Sequence, residues 1–175
     1  MKTTNGRPVR VLLVYPDYTD RDQKFRSSGG SYSEGLASIS AVLKQGGHEV
    51  RLMHLLNLHK ESDFKRRLRE LGGFDIVGFS VRTTAFPDCS EYIKWTREEC
   101  PDVFILCGSY HCTLVPDEVL AVDGVDCVCV GDGEYAMLEL CDKMRDGLDY
   151  TGVESLYFKL PDGSHKHNRS EEHTS

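Results

Sequence analysis

Five short apolar runs alternate with amphipathic segments along this chain, and this alternation restricts the fold more than any other feature. The runs, such as Val-Leu-Leu-Val at 11–14, predict strands over 10–15, 49–54, 75–80, 103–107 and 126–130. The segments between them are apolar on one side and are ended by Gly or Pro. They predict helices over 34–45, about 62–71, about 87–100, from 116 onward and about 133–145.

Most of the predicted strands are apolar on both faces, which is typical of a parallel sheet covered by helices on both sides. The repeated order of strand and helix therefore predicts a doubly wound α/β domain, flavodoxin-like or Rossmann-like. Its sheet would have five parallel strands with helices on both faces. An apolar segment from Val153 and a turn at Pro161-Asp162-Gly163 predict a small C-terminal hairpin, followed by a polar tail.

The composition excludes several functional classes. A net charge of −7 opposes the phosphate backbone of a nucleic acid, and the basic segment at 65–69 fits a solvated helix face, so we expect no nucleic-acid partner. No apolar run is long enough to span a membrane, and the first residues lack the apolar core of a secretion signal. We therefore expect a cytoplasmic protein. The 7 cysteines match no zinc-ribbon spacing and predict reduced thiols.

In a doubly wound sheet the ligand lies beyond the carboxyl ends of the strands, so the segments that follow the predicted strands form the candidate site. Hydroxyl side chains and one cation follow the third strand, over 80–84. Small residues follow the fourth and fifth strands, at 108–109 and 131–133. Such residues allow the backbone to approach a large flat or elongated ligand. A ligand of considerable size is therefore expected.

A long connection over 16–32 follows the first strand, where such folds usually have about 2–6 residues. It lacks the Lys-Ser or Lys-Thr that ends a P-loop, and Tyr15-Pro16-Asp17 stands where a dinucleotide fingerprint would begin. A phospho-receiver would have an Asp at the end of strand three, where this chain has Ser80, and a Lys after strand five. These three chemistries are not indicated, and the role of the connection stays open.

Five segments in a fixed order carry a resemblance to a known family: residues 35–50, Phe-Asp-Ile-Val-Gly-Phe-Ser at 74–80, Gly-x-x-His-x-Thr at 108–113, Pro116, and Gly-Asp-Gly-Glu at 131–134. Over about residues 8–147 the chain resembles the cobalamin-binding domain at the N-terminus of B12-dependent radical S-adenosylmethionine (SAM) enzymes. The resemblance implies that cobalamin binds with its nucleotide tail between the sheet and the helices, and with its corrin ring over the carboxyl edge. The residues expected to contact it are Tyr15, Pro16, Ser80, Val81, Arg82, Thr83, Thr84, Gly108, Ser109, Tyr110, His111, Gly131, Asp132, Gly133 and Glu134.

Two departures from related modules refine this expectation. Classical B12 modules carry Asp-x-His-x-x-Gly after strand one, and its His binds cobalt, whereas residues 16–32 contain no His. The radical enzymes resembled here commonly lack this ligand too, so the resemblance implies cobalamin bound base-off without a His lower ligand. The family also has Gly-Gly more often than the Gly-Ser found at 108–109, which leaves the tail less room.

The chain lacks the Cys-x-x-x-Cys-x-x-Cys that holds a radical SAM iron–sulfur cluster. We therefore expect residues 1–150 to form the cobalamin-binding domain, and residues 151–175 to form a hairpin and linker towards an absent radical SAM domain. That domain would hold SAM and a 4Fe-4S cluster and would carry out methyl transfer, ring formation or rearrangement. This chain alone is not expected to be catalytic.

Alternatives remain open from the sequence. The domain could be a flavodoxin-like regulatory, nucleotide-binding or protein-binding module without corrin. His111 could bond to a backbone carbonyl instead of touching corrin, Arg82 could form a surface ion pair, and Glu134 could serve only the helix dipole.

Overall fold

The computed structural model describes residues 1–18 and 30–169. Most of the connection over 16–32 and the end of the polar tail lie outside these residues, so expectations about them stay predictions. The strands are β1 (Arg10–Pro16), β2 (Glu49–Leu55), β3 (Ile76–Ser80), β4 (Phe104–Gly108), β5 (Cys127–Cys129), β6 (Leu156–Lys159) and β7 (His165–His167). The helices are α1 (Glu34–Gln45), α2 (Glu61–Leu71), α3 (Phe86–Glu99), α4 (Tyr110–Leu114), α5 (Pro116–Leu120) and α6 (Glu134–Asp146).

The strands of the described residues form one sheet, with the strand order β2-β1-β3-β4-β5-β6-β7. The first five strands are parallel; for example, Val11 pairs with Ile76 of β3 and with Val50 of β2. Their carboxyl ends therefore meet at one side of the sheet. We call this side the carboxyl edge, and its strands end at Pro16, Leu55, Ser80, Gly108 and Cys129.

The doubly wound α/β fold is confirmed, but the sheet has seven strands instead of five. The C-terminal hairpin does not stand apart, because β6 pairs with β5 in antiparallel fashion, with Phe158 opposite Cys127. Tyr157 packs into the apolar layer on one face of the sheet and Phe158 into the layer on the other. The hairpin thus completes both layers, which is the physical reason that it joins the sheet.

Two apolar layers cover the two faces of the sheet. The first layer lies under α2, α3 and α5, where the rings of Phe64 and Tyr92 stack with centroids 4.7 Å apart. The second layer lies under α1 and α6, where Leu43 and Leu140 are fully buried. Strands that are buried on both faces need apolar residues at successive positions, which explains the continuous apolar runs of the sequence.

Asp75 holds the N-terminal segment against the side of the sheet that lies opposite the carboxyl edge. Its carboxylate accepts hydrogen bonds from the Arg7 guanidinium at 2.6 and 2.8 Å and from the backbone N–H of Arg10 at 2.9 Å. Burial acts to raise the pKa of Asp75, but the hydrogen bonds from Arg7 and Arg10 outweigh it and hold the pKa below its usual value. The charged carboxylate therefore joins the N-terminal segment to the start of β3.

Within residues 1–18 and 30–169, no helix combines the length and the apolar character that crossing a membrane would require.

Candidate functional site

A cavity of about 420 Å³ opens at the carboxyl edge, between the sheet and the helices α1 and α6. It lies on the face of the sheet covered by the second apolar layer, since Leu13, Leu106 and Met137 belong to both the layer and the cavity wall. The residues that line it are Leu13, Ser33, Gly35, Leu36, Ile39, Gly78, Phe79, Ser80, Leu106, Gly108, Ser109, Tyr110, Thr113, Cys129, Gly131, Asp132, Gly133, Glu134 and Met137.

The floor of the cavity is formed by β1, β3, β4 and β5, and Gly78 of β3 is part of it. A Cβ atom at Gly78 would lie 3.2 Å from the Leu13 side chain and 3.9 Å from that of Met137. Glycine at this position therefore lets these two apolar side chains pack closely against the strand. The resulting apolar floor suits a flat, largely apolar ligand group.

The wall on the α6 side depends on Gly133, which directly precedes the helix. A Cβ atom at Gly133 would come within 3.2 Å of the Ile39 side chain on α1 and 3.6 Å of the Cys129 sulfur on β5. Glycine at this position therefore allows α6 to begin close to both elements. The backbone N–H of Gly131 donates a hydrogen bond of 3.1 Å to the Thr113 hydroxyl, which ties this loop to α4.

The loop after β4 contains a strained residue at the cavity. Ser109 has φ 90° and ψ −174°, a conformation that residues other than glycine adopt at a cost of about 1–3 kcal/mol. The preceding Gly108 is different, because a Cβ atom there would make only an ordinary contact of 3.7 Å with Cys129. The fold itself therefore accepts a Cβ at Gly108, and its bare backbone serves to keep the cavity open.

Eight of the fifteen residues predicted from the sequence line this cavity: Ser80, Gly108, Ser109, Tyr110, Gly131, Asp132, Gly133 and Glu134. The sequence reasoning missed the floor and the α1 wall. Alternate residues on the strands, such as Leu13 and Leu106, resemble ordinary core residues, and no pattern separates them from the core. Thr113 could have been predicted as a site residue, since it ends the Gly-x-x-His-x-Thr segment that carries the resemblance.

The other seven predicted residues lie at or near the carboxyl edge but do not line the cavity. Tyr15, Pro16 and Arg82 belong to a polar group that we call the Asp17 cluster, formed by Tyr15, Pro16, Asp17, Ser31, His54 and Arg82. Its Arg82 guanidinium donates a 2.8 Å hydrogen bond to the Pro16 carbonyl, lies 3.7 Å from the Asp17 carboxylate, and sits 5.7 Å from the centre of the Tyr15 ring.

Asp17 is the centre of this cluster. Its carboxylate accepts hydrogen bonds from the Ser31 hydroxyl at 2.6 Å and from His54 Nε2 at 2.9 Å, and the His54 ring stacks on Tyr15. Burial acts to raise the pKa of Asp17, whereas the bonds from Ser31 and His54 lower it and prevail. Asp17 is thus held as a carboxylate between an imidazole and a guanidinium.

The remaining predicted residues follow β3 and begin α4. Val81 is fully buried in the first apolar layer, and Thr83 and Thr84 are exposed on a short 3₁₀ turn. His111 is buried with its ring 4.3 Å from that of Phe86, and its Nε2 has no hydrogen-bond partner among the described residues. These four residues border the edge beside the cavity.

The profile of the family described as "B12 binding domain" matches residues 28–141. The chain belongs to this family. Its resemblance to cobalamin-binding domains is thereby confirmed, and a module without corrin, the alternative left open by the sequence, is set aside. The cavity fits the cofactor, since its glycine floor and apolar walls leave a slot between sheet and helices at the expected edge.

Curated relatives of this B12-binding domain include enzymes. It is 31% identical over 130 residues to the hopanoid C-3 methylase of Methylococcus capsulatus, covering 70% of this chain and 24% of the relative. It is 26% identical over 167 residues to the anaerobic magnesium-protoporphyrin IX monomethyl ester cyclase of Rubrivivax gelatinosus, covering 89% of this chain and 28% of that enzyme. The chain thus spans about a quarter to a third of the relatives' length.

A solved structure with the same fold is the radical SAM methyltransferase TsrM from Kitasatospora setae, determined with cobalamin and a [4Fe-4S] cluster bound. The B12-binding domain superposes on it with a TM-score of 0.76 at 20% identity, covering 94% of this chain and 29% of TsrM. At this level of identity the likeness establishes the fold of the domain.

Proposed function

We propose that this B12-binding domain is the cofactor-carrying part of a cobalamin-dependent radical SAM enzyme, and that its cavity receives the nucleotide tail of cobalamin. The observation that carries the proposal is the cavity between the sheet and the helices α1 and α6, which has Gly78 in its floor and is kept open at Gly108. Bound cobalamin supplies a cobalt centre that can carry a methyl group. The chain's own residues hold and orient it.

The charge of the cavity wall supports a tail with a neutral base over a free nucleotide. The wall contains two carboxylates, Asp132 and Glu134, and no Lys, Arg or His among the described residues that line it. The phosphodiester of cobalamin's tail carries one negative charge, whereas the terminal phosphate of a free nucleotide would place up to one further negative charge beside these carboxylates, with no cation among the described lining residues. The benzimidazole of cobalamin's tail is a flat, uncharged group, which suits the apolar floor.

Polar groups at the mouth would orient the tail. Ser80 ends β3 and lines the cavity while remaining nearly buried, and Thr113 and Ser33 line it from α4 and from the start of α1. We propose that these hydroxyl groups form hydrogen bonds with the tail. The predicted residues outside the cavity, among them Arg82 and His111, would face the corrin ring at the carboxyl edge.

We further propose that cobalamin is bound base-off without a His lower ligand. Near this edge, His54 donates a hydrogen bond to Asp17 and stacks on Tyr15, and His111 is buried against Phe86. Asp17 thus occupies Nε2 of His54, and burial against Phe86 covers the His111 ring. Residues 16–32, which would supply the classical ligand, contain no histidine.

In the full enzyme, residues 1–150 would form the cobalamin-binding domain, and residues 151–175 a hairpin and linker leading to a radical SAM domain with SAM and a 4Fe-4S cluster. The reaction would be methyl transfer, ring formation or rearrangement in the cytoplasm. Names of relatives support both methylase and cyclase chemistry.

Reconstitution tests this proposal directly. The purified chain is incubated with hydroxocobalamin, desalted and reduced to the cob(II)alamin form. We expect a retained corrin spectrum of the base-off type, and an electron paramagnetic resonance signal without the splitting that an axial nitrogen causes. A colourless protein would refute cofactor binding by this domain. A nitrogen-split signal would refute only the ligand assignment, and loss of the splitting in the variant H54Q or H111Q would then identify a histidine ligand, whereas splitting retained in both would point to the benzimidazole.

A further inference from the structure

Three metal-binding side chains meet on the face of the sheet opposite the cavity, where the hairpin lies beside the start of α5. They are Asp117, His165 and His167. His167 Nε2 lies 2.9 Å and His165 Nδ1 lies 3.4 Å from the same oxygen, Asp117 Oδ1. The three donor atoms all lie within 4.8 Å of one another, and all three residues are exposed. The proposed cobalamin site uses none of them.

The fold itself brings these side chains together. His165 and His167 are two residues apart on β7, so both rings project from the same side of the strand. The His167 ring stacks on Tyr157 of β6 with centroids 4.4 Å apart and planes 15° apart, which fixes its orientation. Asp117 stands in the first turn of α5, whose backbone positions its carboxylate over the hairpin.

The two spacings from Asp117 Oδ1 to the imidazole nitrogens are those of a coordination shell. Zinc binds imidazole nitrogen and carboxylate oxygen at about 2.0–2.2 Å, which places neighbouring ligand atoms about 3–3.5 Å apart in tetrahedral or octahedral geometry. The separations of 2.9 and 3.4 Å from Asp117 Oδ1 fall at or near this range. Two imidazoles and one carboxylate are donors that suit zinc, nickel or copper better than magnesium or calcium.

We infer that Asp117, His165 and His167 form a binding site for a divalent transition-metal ion of the zinc type, with water completing its coordination. The ion takes a lone pair from each imidazole and from the carboxylate, and it joins the outer strand of the sheet to α5. Because the three ligands come from two separate elements, binding stabilises the attachment of the hairpin.

Calorimetric titration of the cobalamin-free chain with Zn²⁺ tests this inference. The titration uses the variant C100S as parent, because Cys100 is the one cysteine that is not buried. We expect one equivalent of Zn²⁺ to bind and to raise the Tm. H165Q and H167Q should each weaken binding at least tenfold, and the control H59Q, which alters a histidine outside the cluster, should bind like the parent.

The substitutions on β7 could disturb the hairpin itself, so the variant D117N serves as a second test. It changes only α5 and keeps the size of the side chain. It should also weaken Zn²⁺ binding at least tenfold, while circular dichroism shows an unchanged fold. The inference is wrong if the parent takes up no stoichiometric Zn²⁺, or if D117N and H167Q bind it like the parent. Cobalamin retention is measured separately and bears on neither outcome.

Discussion

Replacement of Gly108 by Leu tests where the nucleotide tail lies. Among the described residues, a Cβ atom at Gly108 meets only Cys129, at an ordinary distance of 3.7 Å, so the first carbon of the new side chain is accepted there. The three further carbons of Leu must then extend from a position on the wall of a cavity of about 420 Å³. The variant G108L should therefore fold but leave less room for a ligand.

The expected loss follows from overpacking in the complex. Forcing extra carbon atoms into a filled, close-packed site costs about 1–3 kcal/mol. Each 1.4 kcal/mol corresponds to a tenfold change in affinity, so G108L should bind cobalamin about ten- to a hundredfold more weakly. G108A adds only the tolerated Cβ and should bind within a few-fold of the parent chain.

The assay is a spectrophotometric titration with hydroxocobalamin, accompanied by urea unfolding of each variant. G152L is the matched control, because a Cβ at Gly152 meets no atom of the described residues within 4 Å and Gly152 does not line the cavity. If G108L binds as tightly as the parent and unfolds at the same urea concentration, the tail does not pass β4 and the assignment of this loop is wrong. Loss of binding in G152L would point to a general effect of added bulk.

Two further substitutions test the backbone and electrostatic arguments. S109G removes the strain of a serine at φ 90°. Glycine is more flexible in the unfolded chain, so the net increase in the free energy of unfolding, measured in urea, should be about 1 kcal/mol. A free energy of unfolding below that of the parent chain would contradict the strain. D75N leaves Arg7 and the Arg10 N–H without their carboxylate and should lower stability at pH 7 by about 1–3 kcal/mol. Since the pKa of Asp75 is lower in the folded chain, its contribution is present above the unfolded value of about 3.9 and is lost as pH falls. Urea unfolding at pH 7 and pH 3 should therefore show a smaller decline for D75N than for the parent, and an equal decline would refute the assignment.

The bounds of the elements were predictable wherever burial fixes the residue type. The helix predicted over 34–45 has those bounds in the structure, because Gly46 and Gly47 end it in the sequence as they do in the fold. The helix α4 was missed, since five residues are too few for an apolar period and it begins only after the unusual backbone of Ser109. The hairpin itself was predicted, but its attachment to the main sheet was missed, because the sequence pattern does not indicate that β6 pairs with β5.

The part of the candidate site that could be predicted from the sequence is the set of small residues that directly follow the strands. Gly108, Gly131 and Gly133 mark the loops from sequence alone, and all three line the cavity. Side-chain direction at the strand ends was not predictable, because it depends on the turn that follows each strand. Arg82 thus contacts the Pro16 carbonyl and His111 packs on Phe86. No pattern of residues in the sequence predicts these two contacts.

The pairing of β6 with β5 also determines how a shortened chain would behave. A strand at the lateral margin of a sheet offers free N–H and C=O groups to other molecules, and apolar margins promote aggregation. A chain ending at residue 150 would expose the apolar Cys127–Cys129 in this position. The full hairpin instead places a short polar strand outermost, while exposed Glu49 and Arg51 occupy the opposite margin on β2. Fragments prepared for binding studies should therefore retain residues 151–169, so that β5 stays covered and does not promote aggregation.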